Sequence, residues 1–385
     1  MIYLDYAAAT PMDKKVLKVM EPYFSDKFYN PSAPYSMARD VRADYEEAKH
    51  TIASQIGAKQ TEIIMTAGAT ESINLAFDVP RVKKSKILIS GIEHQAVIAA
   101  ATRETLFTRV GIIKNDNTGR IDLADLEQQL SDETILVSVG YANNEIGTIQ
   151  DIQKISELIA KARADRLNRG IKTPLYFHTD ASQAVGLLDI NVARLGVDMM
   201  TLNAGKCYGP KQVGLLYIRT GTKLTPLIVG GGQEMGLRSG TENVAGTIGF
   251  AKALEIAEKK RKNEVKRQGE IRQNLHKFLK EEFPSIVING SKKHCLPGLI
   301  NFSIPGLDAE RAVYALDQKG IYVATGSACA ANKGLRSHVL KAIGLSDDLA
   351  DGSLRVSFGR DTTKEQVDEF KTILSEVIRN ELKLS

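Results

Sequence analysis

Lys206 stands in the run DMMTLNAGKCYGPKQVG, directly after an apolar stretch and before a Gly-Pro turn. Most lysines are solvated surface residues, but one that emerges from a buried strand can have its pKa lowered and condense with an aldehyde. Asp180 follows the run PLYFH at 174–178. That run delivers Thr179 and Asp180 to the carboxyl edge of a sheet, where ligands of open α/β sheets bind. An ionised carboxylate there can keep a pyridine nitrogen protonated and make the ring an electron sink; taken alone, it is as readily a helix N-cap. The segment TAGATES at 66–72 lies between the strand-like EIIMT and a helical pattern. Gly68 permits a tight turn, and the N–H groups of Ala69 and Thr70, with the Thr70 hydroxyl, open a helix whose N-terminus attracts a phosphate dianion. An ordinary helix cap reads the same way. Each piece is weak alone, and it is the order of phosphate turn, acid and lysine, each closing a strand, that points to a pyridoxal 5'-phosphate site.

Those residues need a sheet to present them. Apolar, β-branched strand candidates at 62–66, 86–90, 135–139, 174–178, 198–202 and 214–218 alternate with helical patterns at 39–57, 71–78, 123–130 and 151–167. Near-continuous apolar strands separated by amphipathic helices predict an α/β domain with mostly parallel strands covered on both faces. A charged helix from about 245 to 283 follows, expected to carry surface pairs such as Glu255 with Lys259. Beyond it, short strands at 286–289, 299–304, 321–324 and 354–358 predict a smaller α+β domain. The expected division is 13–258 for the large domain, with 1–12 and 259–385 forming the small one. Two other motifs fail. Gly205-Lys206 is no P-loop, because Met200 stands where the first glycine belongs and Cys207 replaces the hydroxyl residue. GGGQEMGLRSG at 230–240 does not open a helix after a strand, and is expected to be a mobile loop carrying Arg238.

Composition sets the frame. Hydrophobic residues are 43% and charged residues 25% of the chain, which argues against wholesale disorder. The net charge of +5 is dispersed, aromatics are 6% and Trp is absent, so neither a nucleic-acid surface nor a membrane span is expected. Three cysteines, Cys207, Cys295 and Cys329, lack metal-ligand spacing, and the N-terminus MIYLDYAAATP has neither a basic leader nor an apolar signal core. A cytoplasmic setting is expected.

Over nearly its full length the chain resembles the NifS/IscS-type cysteine desulfurases, pyridoxal-phosphate enzymes of the class V aminotransferase family with fold type I. The stretches that carry the resemblance are YLDYAAATP (3–11), NPS (30–32), TAGATESINLA (66–76), EH (93–94), NNEIG (143–147), HTDASQAVG (178–186), GKCYGPK (205–211), RSGTENV (238–244) and GSAC (326–329). It implies a mostly parallel seven-stranded sheet flanked by helices, and conversion of L-cysteine to L-alanine with a persulfide on Cys329. By the same resemblance Lys206 carries the cofactor and Asp180 faces its pyridine nitrogen. His94 stacks on the ring and shuttles protons, Gln183 bonds the ring oxygen, and Asn144 lies beside ring and substrate. Ala69 and Thr70 hold the phosphate, and Thr241 reaches the phosphate of a second subunit, which implies a homodimer. Arg355 pairs with the substrate carboxylate in bidentate fashion. Cys329, in the small-residue run ATGSACAANKGLRSH, is expected on a surface loop that delivers sulfur to an iron–sulfur scaffold or another acceptor, for cluster assembly or tRNA thiolation. No resident metal is implied; binding of metal enters only through Cys329 as a transient iron–sulfur ligand within a scaffold complex. Cys207 is expected to be structural and Cys295 a loop residue.

Some positions depart from that pattern. Asn203-Ala204-Gly205-Lys206 replaces the usual Ser-x-His-Lys. Retained but altered cofactor binding is expected, through the Asn203 amide and a close backbone approach at Gly205. Met235 replaces an arginine, Ser36 a histidine, and the basic KARADRLNRGIK lengthens the segment between Asn144 and Asp180 into a longer surface helix and loop. Two further functions share these residues. One is a selenocysteine lyase or an aminotransferase independent of Cys329, and the other a non-catalytic partner in a sulfur-transfer complex.

Overall fold

The computed structural model describes residues 1–81, 84–103, 108–326 and 336–384. Seven strands form the main sheet: β2 (Ile63–Thr66), β3 (Ser85–Ser90), β4 (Thr108–Ile113), β5 (Thr134–Ser138), β6 (Tyr176–Asp180), β7 (Met199–Asn203) and β8 (Gly214–Ile218). Their order is β2-β8-β7-β6-β5-β3-β4, with β8 antiparallel to both neighbours and all other pairs parallel. The mostly parallel seven-stranded sheet is thus present.

Strand alternation explains the unbroken apolar runs. Val137, Met200 and Leu215 face one core with Ile52, Ile155 and Phe250 of the covering helices. Their neighbours Leu136, Met199 and Leu216 face the other, against Ile73, Val97 and Ala100. Both faces are covered, so a period of two in position leaves no period in polarity. The strand β4, absent from the sequence expectation, sits at the sheet edge with exposed and half-buried positions and a central Gly111, so it lacks the apolar signature of its neighbours.

A second apolar cluster gathers Phe302, Leu316, Val356, Phe370 and Leu374 with Ile2 and Leu4. Here β12 (Ala324–Thr325), β13 (Ser353–Ser357), β10 (Leu299–Ser303) and β9 (Val287–Asn289) form an antiparallel sheet, and β1 (Ile2–Tyr3) pairs in parallel with β11 (Ile321–Tyr322). The N-terminal strand therefore packs with the last third of the chain. The helix Val244–Glu282 serves both clusters, Leu254 and Ala257 belonging to the first and Leu275 and Leu279 to the second. On it Glu255 pairs with Lys252 at 3.0 Å, not with Lys259; three and four residues are both one turn away, and here the N-terminal partner is the one in reach. No described helix is long and apolar enough to cross a membrane.

Candidate functional site

The strands β2, β3, β5, β6 and β7 point the same way, and the chain that leaves their carboxyl ends walls one cavity of about 560 Å³. This is ample for a small cofactor with substrate. Ala69, Thr70, His94, Asn144, Asp180, Gln183, Asn203, Lys206 and Arg355, all named from the sequence, line it. Gly205 and Thr241 do not. Thr241 is exposed on the loop that leads into Val244–Glu282. Cys329 lies outside the described residues, and the chain resumes at Arg336, which lines the cavity.

The phosphate seat is the helix Ala69–Ala76. Its N-cap Gly68 has φ +136°, a conformation that side chains resist, and supplies no side-chain cap, leaving the first-turn N–H groups to an anion. Gly214 on β8 makes room for this turn, since a Cβ there would lie 2.6 Å from the Gly68 carbonyl carbon.

Asp180 ends β6, and its Oδ1 accepts from the Ser182 N–H at 2.9 Å. Two residues earlier, His178 is fully buried between the Ser138 and Thr201 hydroxyls at 2.9 and 3.0 Å, and burial depresses its pKa to about 4. It is a neutral support for the strand end. Lys206 Nζ donates to the carbonyls of Ala7 and Ala8 at 2.8 and 2.7 Å, and the Gln183 amide donates to the Ala7 carbonyl at 3.0 Å. The N-terminal segment thus closes one side of the cavity, a role the sequence motif YLDYAAATP did not reveal.

His94 caps the helix Gln95–Thr102, its Nδ1 accepting from Ala96 N–H at 3.1 Å. Burial lowers its pKa, with Asp180 opposing and Lys206 and His338 adding to the effect. A neutral imidazole whose Nδ1 is an acceptor carries its proton on Nε2, so Nε2–H is the group it can offer to a ligand. Beside it Glu93 is 3% exposed and accepts from Gly140 N–H at 2.8 Å; burial and the charge on Asp180 raise its pKa to about 8. Glu145, also buried, is raised to about 7, with Ser337 and Arg355 opposing. The two glutamates were quoted within EH and NNEIG without a role.

Two expectations need correction, the open fork of Arg355 and the mobility of the 230–240 loop. The Arg355 guanidinium is not an open fork: Nη1 donates to the Asn144 carbonyl at 3.0 Å, Nη2 pairs with Asp5 at 2.7 Å, and Nε is buried without a hydrogen-bond partner. Around Gly205 the protein itself leaves room for a side chain, since a Cβ there meets only Asn203 Oδ1 at 3.4 Å and atoms beyond 3.7 Å. Asn203 spends its side-chain oxygen on the Gly205 N–H at 3.0 Å. The loop 230–240 is pinned: Glu234 accepts from Tyr45, Lys49 and Met65, and Arg238 pairs with Glu71 of the phosphate-seat helix at 2.8 Å. Glu234 and Met235 adopt left-handed φ of +49° and +57°, which the ring of contacts sustains.

Cys207 is buried, with its thiol pushed up to about 12, and Cys295 is likewise raised by burial, so neither is a ready nucleophile. Among the described residues no cluster of His, Cys, Asp or Glu could hold a metal ion.

An uncapped helix N-terminus, a strand-end carboxylate and a lysine around one cavity fit pyridoxal phosphate and define the class: an α/β enzyme that tethers this cofactor through a lysine. The chain belongs to the class-V aminotransferase family, whose model matches residues 2–370. It is 42% identical to a protein described as cysteine desulfurase IscS from Dictyoglomus turgidum, over 98% of this chain and 94% of that one. A solved NifS-like protein superposes with a TM-score of 0.90 at 32% identity, covering 98% and 99% of the two chains. SspA, solved in complex with cysteine, gives 0.79 at 32% identity over 93% and 99%.

Proposed function

We propose that the protein is a cysteine desulfurase that forms L-alanine and leaves the sulfur as a persulfide on Cys329. The observation that carries this reading is the convergence of Lys206, Asp180, the Ala69–Thr70 helix start and Arg355 on one cavity into whose wall the chain returns from Cys329. Bound pyridoxal phosphate supplies the electron sink that makes the substrate α-proton removable. Asp180 keeps the pyridine nitrogen protonated, Ala69 and Thr70 bind the phosphate, and Lys206 Nζ moves the α-proton. Arg355 orients the substrate carboxylate through its remaining Nη hydrogens, with the guanidinium held in place by Asp5 and the Asn144 carbonyl. The Cys329 thiolate then takes the γ-sulfur: a sulfur–sulfur bond forms, the carbon–sulfur bond breaks with its electron pair left on carbon, and that carbon takes up a proton to give alanine. A reducing cytoplasmic setting and transfer to an acceptor thiol or iron–sulfur scaffold belong to the same reading.

A homodimer is part of the proposal. Phe28, Tyr35 and Met37 are exposed apolar residues near Ser32, and Val229 and Met235 are exposed near Gly231; Ser32, Gly231 and Met235 line one groove. Exposed apolar surface of this kind marks a protein interface, and Glu242, next to the exposed Thr241, lines the same groove. Sedimentation of Val229→Asp with Met235→Asp is expected to show monomers where the unaltered protein is dimeric.

Incubation with L-cysteine and a reductant tests the activity. Equal amounts of sulfide and alanine are expected, both abolished by Cys329→Ala. Alanine formed without Cys329 would instead identify lyase chemistry, and a thiol-bearing 2-oxo acid formed without it would identify aminotransferase chemistry.

A further inference from the structure

Beyond Arg336 the chain is tied at once to two walls of the cavity. The Ser337 hydroxyl, 4% exposed as a residue, donates to Glu145 Oε2 at 2.5 Å and accepts from Leu340 N–H at 3.1 Å, capping the short helix His338–Ala342. His338 Nε2 lies 2.9 Å from the Glu93 carbonyl, so it must be the protonated nitrogen, and Nδ1 then accepts from the Gln95 amide at 3.2 Å. Glu93 and Gln95 flank His94. Glu145 follows Asn144, whose carbonyl receives Arg355. Under these polar contacts Val339, Leu340 and Ile343 pack with Ile92 and Ile146, each one residue outside a latched glutamate, in an apolar cluster of their own.

The loops after β3 and β5 leave adjacent strands, have separate onward helices, and are joined where they leave the sheet by Gly140 N–H to Glu93 and by the Asn143 amide to the Ile92 carbonyl, each at 2.8 Å. One short helix adds a second grip on both, at Glu145 and at the Glu93 carbonyl. We propose that Ser337 and His338 are positioning residues, a double latch that fixes His94 and the Asn144–Arg355 pair against the stretch where the chain returns from Cys329. This rests on the functional reading above and assigns neither residue contact with the reacting atoms.

The test uses cofactor-loaded Cys329→Ala protein, in which sulfur attack plays no part, and L-alanine as the probe, read by the change in the cofactor's visible absorbance. Ser337→Ala and His338→Leu are each expected to raise the half-saturating concentration about 3- to 10-fold, the equivalent of one net hydrogen bond. Ser337→Thr and His338→Gln, which keep the hydroxyl and the Nε donor, are expected to restore it. In cofactor-free protein, amide exchange should quicken at 92–97 and 143–147 in the first pair of variants while Tyr176–Asp180 stays protected. Unaltered binding and exchange overturn the proposal. So does loosening that extends to β6, or a loss that the conservative variants fail to restore. Absence of cysteine desulfuration would sink the functional reading instead, because neither latch measurement depends on turnover.

Discussion

In the proposed mechanism the Lys206 nitrogen carries two duties, tether and proton carrier, so its loss removes more than one contact. General acid–base steps contribute typically about 10²–10⁴-fold. Lys206→Ala is expected to cut alanine release by at least about 10²-fold, and borohydride labelling followed by peptide mapping should then find no tag at that position. By contrast Gly205→Ala is expected to be mild. Its Cβ meets atoms only at ordinary contact distance, so the melting temperature and the cofactor retained after dialysis should match the unaltered protein. The glycine before Lys206 thus answers no demand for backbone space from the protein around it.

At the level of elements, the basic insert between Asn144 and Asp180 does more than the expected surface helix. The helix Ile152–Asn168 buries Arg166, which is 4% exposed and donates to the carbonyls of Ser131, Thr134 and Thr173. Arg163 on the same helix binds the Leu175 carbonyl and Asp198. These arginines tie the starts of β5 and β6 together, the strands whose far ends carry Asn144 and Asp180. Arg166→Met takes the arginine donor from the buried Thr134 carbonyl and from the half-buried Thr173 carbonyl, while the Ser131 carbonyl keeps the Thr134 N–H. A loss of about 2 kcal/mol or more is expected from urea midpoints at unchanged slope. The seven-residue separation of Arg166 from Thr173 conceals this, because the helix end and the returning turn must fold before the carbonyls converge.

For the molecule as a whole, buried carboxyl groups set a pH dependence. Glu93 titrates near 8 in the folded chain and near 4.3 when unfolded, so between those values the folded state binds the extra proton. Its contribution to stability is complete below about pH 4 and is lost as pH rises through about 8. Cofactor-free protein is therefore expected to lose more melting temperature between pH 5 and 9 than the Glu93→Gln variant does; an equal loss in both would refute the assignment. Glu145, near 7, acts in the same direction over a narrower range.

Element type and the ligand-bearing ends of β2, β6 and β7 were legible along the chain because they depend on local residue pattern: apolar runs, turn glycines, and a Lys or Asp at a strand terminus. The edge strand β4 was not, since half-exposed strands mix polarity. The partners of Asp5 and Arg355 lie 350 residues apart, and those of Ser337 and Glu145 lie 192 apart. Such contacts follow from how the β1 segment and the chain after Arg336 fold back over the sheet edge, a matter of long-range packing. Sequence thus decided which groups stand at the strand ends. Only the tertiary structure decided that Arg355 is already half engaged, that the 230–240 loop is pinned by Glu234, and that Ala7 and Ala8 hold Lys206, because each depends on atoms brought together by burial and not by neighbouring positions in the chain.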